Sequence, residues 1–389
     1  VHPGHYLDVP YYPDHYRQFP EYHDEFADEW EKVRKLGPEH YQEWYDLLLP
    51  IEVWPKLQKA VNAMGDCWAD FPYAKFTTRM GRLKMPVSKH FDVRVADRTI
   101  ERIKAVQNKD NPFMITCAIN SPHDPYALPS PYYEMYDPDK IKLPANRNIR
   151  EKRFEQEWSR RTVADIDKPG MGDPSIREFL RIYYGSVKLI DDQVGRILKT
   201  LDHAGQTDNT LIIFTADHGD MVGGHGMAWK STTAFYEEVV NVPLLIRYPR
   251  MFKPHVNEMA VDHVDFMPTI LDLLGKPIPN YVQGQSLVPY LTGQRDPKTA
   301  YPYKFSERIQ GHPKTEREIL PTTKAYFMIR GQGWKYLRYL EGDEYLYNYE
   351  KDPGELKNLI NDPKSQNMRT KLSNELNAWL KRTGWKGSW

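Results

Sequence analysis

The chain has 389 residues, and its Lys+Arg and Asp+Glu totals are both 53, so its formal net charge is zero. A balanced charge gives no general attraction to nucleic acid or to a membrane surface, so any preference for anions must be local. No run of 18 apolar residues occurs, which predicts that no helix spans a membrane. The two cysteines, Cys67 and Cys117, are too few for a disulfide framework.

Regular patterning begins only near residue 97. Residues 1–60 are rich in Tyr, Pro, His and acidic residues, and they predict one short helix at 38–49. The sequence "DRTIERIKAVQN" predicts a helix that Asp97 caps, because its apolar residues recur at helical spacing. The contiguous apolar residues of "NPFMITCAIN" (111–120) then predict a fully buried strand.

A charged, Pro-rich excursion at 121–174 precedes a long helix. The "SIRE" sequence at 175–178 is a capping-box signature, and Gly205 is expected to end the helix. "TLIIFT" (210–215) and "VPLLIRY" (242–248) predict two further buried strands. The apolar stripe predicted for the helix consists of Phe179, Tyr183, Val187, Ile190, Val194, Ile197 and Leu201.

The alternation of helices and strands predicts an α/β fold, with a mostly parallel sheet sandwiched by helices. Beyond it, short aromatic runs at 325–355 predict a smaller antiparallel sheet, and an amphipathic helix is expected from Ser365 to about Thr383. We therefore expect an α/β domain at 1–295, whose residues 1–94 are a variable, insertion-like region. The expected second domain, at 296–389, is a smaller α+β unit.

Two side chains that can bind a metal ion follow the predicted strand at 210–215. Asp217 offers carboxylate oxygens and His218 an imidazole nitrogen, and both lie at the carboxyl end of that strand, where ligands bind in open α/β sheets. The alternative is that Asp217 caps the next turn and His218 packs against its neighbours. A single adjacent pair leaves both interpretations open, because a hard cation requires several more ligands.

Three further side chains belong to loops at the same expected edge. His123, in "SPHDPY" after the strand at 111–120, could bind an oxyanion or donate a proton. Lys230 could neutralise a phosphate or a sulfate, and His225 lies in the same loop. Each residue alone is more simply an ordinary loop histidine or a solvated lysine. Because two separate strand ends supply them, the set predicts an anion site.

Five sequence blocks resemble the type I sulfatases of the alkaline-phosphatase-like superfamily. They occur in the order found in that family and cover roughly residues 95–389. The blocks are "INSPHDPYALPSPYYEMYDPDKIKLP", "TADHGDMVGGHGMAWKSTTAFYEEVVNVPLLIRYP", "VDHVDFMPTILDLLG", "QGQSLVPYLTG" and "GWKYLRYLEGDEYLYNYEKDPGELKNL". Five ordered blocks are far more specific than any one of them.

The resemblance implies a role for each candidate residue. Asp217 and His218 match the second pair of metal ligands in the family, which usually bind Ca²⁺, and another divalent cation would suit the same donors. His123 matches the histidine that contacts the sulfate ester or its leaving oxygen, and Lys230 matches the lysine that binds the sulfate oxygens. His225 occupies a position in the matching loop where contact with substrate is expected. The implied substrate is a sulfated carbohydrate or an aryl sulfate.

The sequence also departs from the family pattern. The nucleophile of the family is a formylglycine made from Cys or Ser in a C/S-x-P-S/A-R signature, and neither Cys67 nor Cys117 lies in such a signature. The first pair of metal-binding aspartates and a Lys-x-His segment are also absent. The resemblance therefore implies that an N-terminal part, preceding this sequence or on another polypeptide, completes the site.

Two alternatives remain open at this stage. A phosphonate or phosphate monoester hydrolase of the same superfamily would use a similar anion-binding site, and only the nucleophile region would distinguish it. A sulfatase relative that binds sugar without catalysis would retain the cleft alone. The residues themselves leave the location in the cell undetermined, and the resemblance adds the expectation that it is periplasmic or secreted.

Overall fold

The fold is described from a computed structural model that carries side chains. The described residues are 68–69, 80–83, 86–107, 111–123, 126–149, 173–227, 230, 235–310, 313–315, 318–319 and 324–385. The short helix predicted at 38–49, and most of the insertion-like region at 1–94, lie outside these ranges. Among the described helices, none is long and apolar enough to cross a membrane.

The described helices and strands follow the expected change from an α/β part to an antiparallel part. The helices are α1 (Phe91–Val106), α2 (Asp173–His203), α3 (Glu237–Val240), α4 (Phe266–Leu273), α5 (Val288–Leu291) and α6 (Gln366–Arg382). The strands are β1 (Trp68–Ala69), β2 (Met80–Leu83), β3 (Tyr126–Pro129), β4 (Ile212–Thr215), β5 (Leu244–Arg247), β6 (Lys304–Gln310), β7 (Pro313–Thr315), β8 (Glu318–Ile319), β9 (Lys324–Gly331), β10 (Trp334–Tyr339) and β11 (Glu344–Asn348).

Helix α1 begins six residues before the predicted cap at Asp97, so that prediction of its start is wrong. His90 is the N-cap, and its side chain accepts a hydrogen bond from the backbone N–H of Asp92. Asp97 lies inside the helix and forms an ion pair with Arg196 of α2. Periodicity detected the helix but not its first turns, because a histidine cap is not a standard start signal.

The stretch at 111–120 forms neither a helix nor a strand, so it is not the fully buried strand that its apolar residues predict. No strand in the described part of the chain pairs with it, and its residues alternate between half-buried and exposed. Met114, for example, is 86% exposed, while Cys117 is half-buried. A strand is buried on both faces only when neighbouring elements cover both faces, and the sequence of the strand alone does not specify them.

Helix α2 is the long helix expected from the sequence, although it begins at Asp173 rather than at the predicted capping box. It ends as predicted before Gly205, whose φ of 64° is the left-handed conformation that favours glycine. The buried stripe is partly different from the predicted one, because Val187 is exposed and Ile182 and Leu189 are buried instead.

Parallel pairing occurs where β3 adds to β2, with Met80 opposite Tyr126, and β1 pairs antiparallel on the other side of β2. Strands β4 and β5 form as predicted, but they pair antiparallel and are half-buried rather than buried. The run of apolar residues detected both strands without specifying their direction, because parallel and antiparallel strands share the same side-chain alternation.

The predicted C-terminal meander and helix are both confirmed. Strands β11, β10, β9 and β6 form one antiparallel sheet in that order, and α6 packs against it. The buried side chains of α6 are Leu372, Leu376 and Leu380, which recur at the helical spacing expected of an amphipathic helix. The two faces of the sheet are covered differently, by α6 on one face and by Met221, Met227, Tyr236 and Val239 on the other.

Candidate active site

Helix α1 fixes the loop that carries His123. The carboxylate of Asp92, in the first turn of α1, is only 1% exposed. It accepts hydrogen bonds from the backbone N–H groups of Asn120 at 2.8 Å and Ser121 at 3.2 Å. The backbone N–H of His123 in turn donates to the carbonyl of Asn120 at 3.0 Å. The end of the 111–120 stretch is therefore held in place immediately before His123.

The structure brings His123 and Lys230 into direct contact. The Lys230 Nζ and His123 Nε2 atoms are 2.8 Å apart, although the residues are separated by 107 positions in the sequence. Because an ammonium group can only donate, Nε2 of His123 must carry a lone pair when Lys230 is charged. The loop after the 111–120 stretch and the segment that carries Lys230 therefore meet at this contact.

Asp217 and His218 lie at the end of β4. The Asp217 side chain is 88% exposed, and its Oδ2 lies 3.6 Å from Nε2 of His218. The Nδ1 of His218 contacts the Gly219 carbonyl at 2.8 Å, and since a carbonyl only accepts, Nδ1 carries the proton. This tautomer leaves the Nε2 lone pair beside the carboxylate. The exposed carboxylate of Asp217 thus lies beside a nitrogen donor of the half-buried His218.

A second aspartate of this loop, Asp220, joins the two strand-end loops and was missed by the sequence reasoning. Its Oδ2 accepts a hydrogen bond from the Tyr126 hydroxyl at 2.7 Å, and its Oδ1 accepts one from the Val222 backbone N–H at 3.0 Å. Burial raises the pKa of Asp220, while its hydrogen bonds and the nearby charges of His218 and Lys230 oppose that shift. The sequence "DHGD" could have indicated it, because a second aspartate follows the glycine directly.

Gly219 allows the loop to lie directly against α3. Its N–H donates to the Val239 carbonyl at 2.8 Å, and a Cβ at this position would lie only 1.9 Å from the Glu238 carbonyl oxygen. No side chain fits in that space, so the close approach requires glycine. The packing of α3 thereby fixes the backbone immediately after His218.

His225 does not join the other candidates. It is only 1% exposed, its ring stacks on Tyr236 with the centroids 3.7 Å apart, and its Nε2 contacts the Gly354 carbonyl at 3.1 Å. Burial lowers the pKa of His225 to about 4, against the opposing effect of the Gly354 and Ile149 carbonyls. This placement gives His225 a contact with the C-terminal sheet region, and its predicted contact with substrate stays a prediction.

The described residues supply part of a metal site. Asp217 and His218 offer two donors of the kinds that divalent cations accept. Across the described ranges, however, no group of three His, Cys, Asp or Glu side chains is arranged to hold a metal ion. Both oxygens of Asp220 already accept hydrogen bonds from protein groups. Asp217 and His218 could therefore provide two ligands of a cation, whose other ligands would have to come from other residues.

Comparison with known families gives two overlapping matches. The family model described as Sulfatase matches residues 11–276. The family model described as N-sulphoglucosamine sulphohydrolase, C-terminal, matches residues 223–382. The first match alone covers more than half of the chain, and it includes every candidate site residue.

Two curated relatives illustrate the range of similarity. The chain is 36% identical over 196 residues to a Delta 4,5-hexuronate-2-O-sulfatase of Bacteroides thetaiotaomicron, covering 49% of this chain and 39% of that protein. It is 30% identical over 267 residues to an arylsulfatase of Clostridium perfringens, covering 67% of this chain and 52% of that protein. The chain thus spans about half of the length of these relatives, or less.

Among solved structures, the chain is similar to a phosphonate monoester hydrolase from Silicibacter pomeroyi. The TM-score is 0.65 at 26% identity, with 83% of this chain and 68% of that chain covered. The match confirms the α/β, alkaline-phosphatase-like fold class expected from the sequence.

Proposed function

The chain belongs to the sulfatase family, and from that premise we propose that it is the main body of a sulfuric ester hydrolase. The proposed substrate is a sulfated carbohydrate or an aryl sulfate, because sulfatases named for such substrates are among the relatives. The single observation that carries the proposal is the 2.8 Å contact between Nζ of Lys230 and Nε2 of His123.

Each of the two contacting residues has a proposed task. The Lys230 ammonium is a point charge that binds the sulfate oxygens and stabilises the negative charge that grows on the departing ester. In the substrate complex Lys230 would turn to the sulfate oxygens, which frees Nε2 of His123 to take up a proton. The resulting imidazolium would then deliver that proton to the leaving alcohol oxygen, which makes that oxygen a better leaving group. The hydrogen bonds of Asp92 and Asp220 keep the two loops at a fixed separation, so that both groups act on one substrate.

We propose that Asp217 and His218 supply two ligands of a divalent cation, with Ca²⁺ as the expected ion. A bound cation would supply a positive charge that polarises a sulfate oxygen. Asp217 would contribute an oxygen donor and His218 its Nε2 lone pair, which the hydrogen bond from Nδ1 orients. The remaining ligands and the formylglycine nucleophile are proposed to come from residues other than those described.

A phosphonate monoester hydrolase is the second candidate function. The observation that favours it is the solved structure from Silicibacter pomeroyi, which covers 83% of this chain. Phosphonate monoesters and sulfate monoesters share a tetrahedral anionic centre, and a lysine point charge does not distinguish between them.

The proposal is tested by a substrate panel on the full-length protein. Aryl sulfate, sulfated oligosaccharides and an aryl phosphonate monoester are compared by kcat/KM under identical conditions. We expect a sulfate ester to be hydrolysed with the highest kcat/KM. A higher value for the phosphonate would establish the second candidate, and sugar binding without hydrolysis of any ester would establish the non-catalytic alternative.

A further inference from the structure

One turn of the C-terminal sheet region contacts both sequence flanks of Lys230. Residues 352–355 (Asp-Pro-Gly-Glu) follow β11, and we refer to them as the 352–355 turn. The turn closes through a hydrogen bond from the Glu355 N–H to the Asp352 carbonyl at 3.0 Å. Glu355 has a φ of 49°, a left-handed conformation that a non-glycine residue adopts only when its surroundings enforce it.

The N-terminal flank of Lys230 is held through the Gly354 carbonyl. This oxygen contacts His225 Nε2 at 3.1 Å and accepts a hydrogen bond from Asn146 Nδ2, also at 3.1 Å. Asn146 donates a second bond to Glu238 Oε1 at 2.7 Å. His225 itself has a φ of 49°, and it lies buried between the turn and the ring of Tyr236. The backbone five residues before Lys230 is thus fixed by the turn.

The C-terminal flank is held through the Glu355 carboxylate. It accepts a hydrogen bond from the Glu237 backbone N–H at 2.8 Å and pairs with Lys335 Nζ at 2.8 Å. Lys335 also donates to the Phe235 carbonyl at 2.7 Å and pairs with the Glu237 carboxylate at 2.7 Å. Arg330 forms a two-point pair with Glu237 from the other side. The start of α3 is therefore bound to the sheet by charged groups.

Because its charges are buried, this network is stable only in the arrangement in which every charge has its partner. Lys335 and Glu355 are each 0% exposed, so neither charge can turn to water if its partner moves. The two cations, Lys335 and Arg330, balance the two carboxylates of Glu237 and Glu355. Because an unpaired charge inside a protein is strongly unfavourable, the network resists displacement of either flank.

We propose that the 352–355 turn is a positioning element for Lys230, which holds the segments before and after it so that the ammonium reaches His123. Glu355 acts as a positioning residue, since its carboxylate binds the backbone at Glu237 and not the substrate. The proposal rests on the proposed function for its effect on turnover. The claim that the turn holds the chain on both sides of Lys230 does not depend on that function.

The test uses Glu355→Gln in the full-length protein. Glutamine keeps the volume of the side chain and an acceptor oxygen, but it removes the charge that pairs with Lys335. We expect faster amide hydrogen exchange in peptides that cover 221–227 and 235–240, and at least a tenfold fall in kcat for an aryl sulfate. Unchanged exchange in both peptides would overturn the proposal.

The double variant Lys335→Met with Glu355→Gln separates positioning from stability. It removes both buried charges together, so no unpaired charge is left inside the protein. We therefore expect its urea midpoint to lie closer to the wild-type value than the midpoint of Glu355→Gln does. Exchange of the 235–240 peptide should stay fast and kcat should stay low, because the charge at Glu355 is still absent and the Lys335 ammonium that binds the Phe235 carbonyl is lost as well. Recovery of kcat together with stability would show that the pair is merely structural.

Arg369→Gln is the matched control, because it breaks an ion pair with Glu344 in the same sheet region away from the 352–355 turn. In this variant we expect wild-type hydrogen exchange at 221–227 and wild-type kcat. If Arg369→Gln lost exchange protection and kcat as Glu355→Gln does, a specific role for the turn would be contradicted. If the wild type hydrolyses no ester, the proposed function fails, while the exchange measurements still decide whether the turn fixes both flanks.

Discussion

At the scale of residues, the Lys230 ammonium contacts the imidazole of His123, which belongs to a different loop. Surface lysines are usually solvated, and such a contact places the positive charge where two loops converge. His123 is held from its own side by the buried Asp92 carboxylate through the backbone of the loop. Asp92 therefore positions the His123 side of the pair through backbone hydrogen bonds.

Replacing Lys230 should reduce turnover directly. For Lys230→Ala we expect kcat for an aryl sulfate to fall at least tenfold, about 1.4 kcal/mol of transition-state stabilisation, because the charge on the sulfate oxygens is no longer balanced. Lys276→Ala, at an exposed lysine near the end of α4, is the control. A wild-type rate in Lys230→Ala would remove this residue from the site.

Replacing Asp217 should affect the metal rather than the fold. The side chain is 88% exposed, so Asp217→Ala leaves no buried cavity, but it removes the carboxylate donor beside His218. We expect the bound divalent cation to be lost from the full-length protein, measured by elemental analysis after dialysis. Asp208→Ala, in the turn before β4, is the control. An unchanged metal content in Asp217→Ala would refute the ligand assignment.

His225 should make stability depend on pH. Burial lowers its pKa to about 4 in the folded protein, against 6.5 for an unperturbed histidine. Between these values the unfolded chain binds the extra proton and the folded chain does not, so falling pH favours unfolding, by about 3 kcal/mol in total. Urea titrations should show the unfolding free energy of the wild type falling relative to His225→Phe over this range.

The control for this pH dependence is the exposed His203 at the end of α2. His203→Gln should retain the wild-type slope of stability against pH. Equal slopes for the wild type and His225→Phe would show that His225 is not kept neutral by burial.

At the scale of elements, the strand-end loops are fixed by the helices packed beside them. Helix α1 presents Asp92 to the loop before His123, and α3 receives the loop after His218 through the Gly219 N–H. Both contacts join short backbone segments rather than large apolar surfaces. A small backbone displacement at either contact is thus expected to move a candidate site residue.

Gly219→Ala tests the contact between the loop and α3. The added methyl would lie 1.9 Å from the Glu238 carbonyl oxygen, so the backbone must shift, with an expected loss of about 1–3 kcal/mol of unfolding free energy. Gly195→Ala is the matched control, because nothing lies within 4 Å of its Cβ position in α2. That change should stabilise the protein by about 0.5–1 kcal/mol, as expected for alanine in a helix interior.

Urea unfolding of both variants measures the two effects. Activity adds an independent readout, because a shifted loop should lower kcat in Gly219→Ala and not in Gly195→Ala. Equal stability of the two variants would contradict the close approach of the loop to α3.

At the scale of the whole molecule, packing crosses the expected division at 295/296, although the described residues also form one cluster wholly on each side of it. One hydrophobic cluster joins Met221, Met227, Tyr236 and Val239 of the first part to side chains of the C-terminal sheet. The sheet contributes Tyr326, Met328, Leu337, Tyr339, Tyr345 and Tyr347. The domain boundary itself stays a prediction, and the shared cluster favours cooperative unfolding of the two sides.

Leu337→Ala tests that cooperativity. Truncating this buried side chain should cost about 2–5 kcal/mol, and amides at 221–227 and in β9 should lose protection from hydrogen exchange by the same free energy. Leu356→Ala, at an exposed leucine, should leave the exchange of the amides at 221–227 and in β9 unchanged. A loss confined to β9 would show that the parts on either side of 295/296 unfold independently.

Much of the fold was predictable because its elements carry strong local patterns. The period of 3.6 residues predicted α2 and α6, and the short aromatic strands with intervening turns predicted the sheet of β9, β10 and β11. The start of α1 at Phe91 and the antiparallel pairing of β4 with β5 were not predictable in this way. Both depend on which element lies alongside, and this information is spread over distant parts of the chain.

The sequence by itself determined the residue types at the candidate site and their positions in two loops that each follow an apolar run. The prediction that His123 and Lys230 lie together came from these two features. Only the tertiary structure showed that Asp220 bonds to Tyr126, that His225 is buried against Gly354, and that Lys335 and Glu355 pair inside the protein. The physical reason is that a side chain takes its role from its partners and its exposure to water. Residues 107 positions apart acquire these only when the chain has folded.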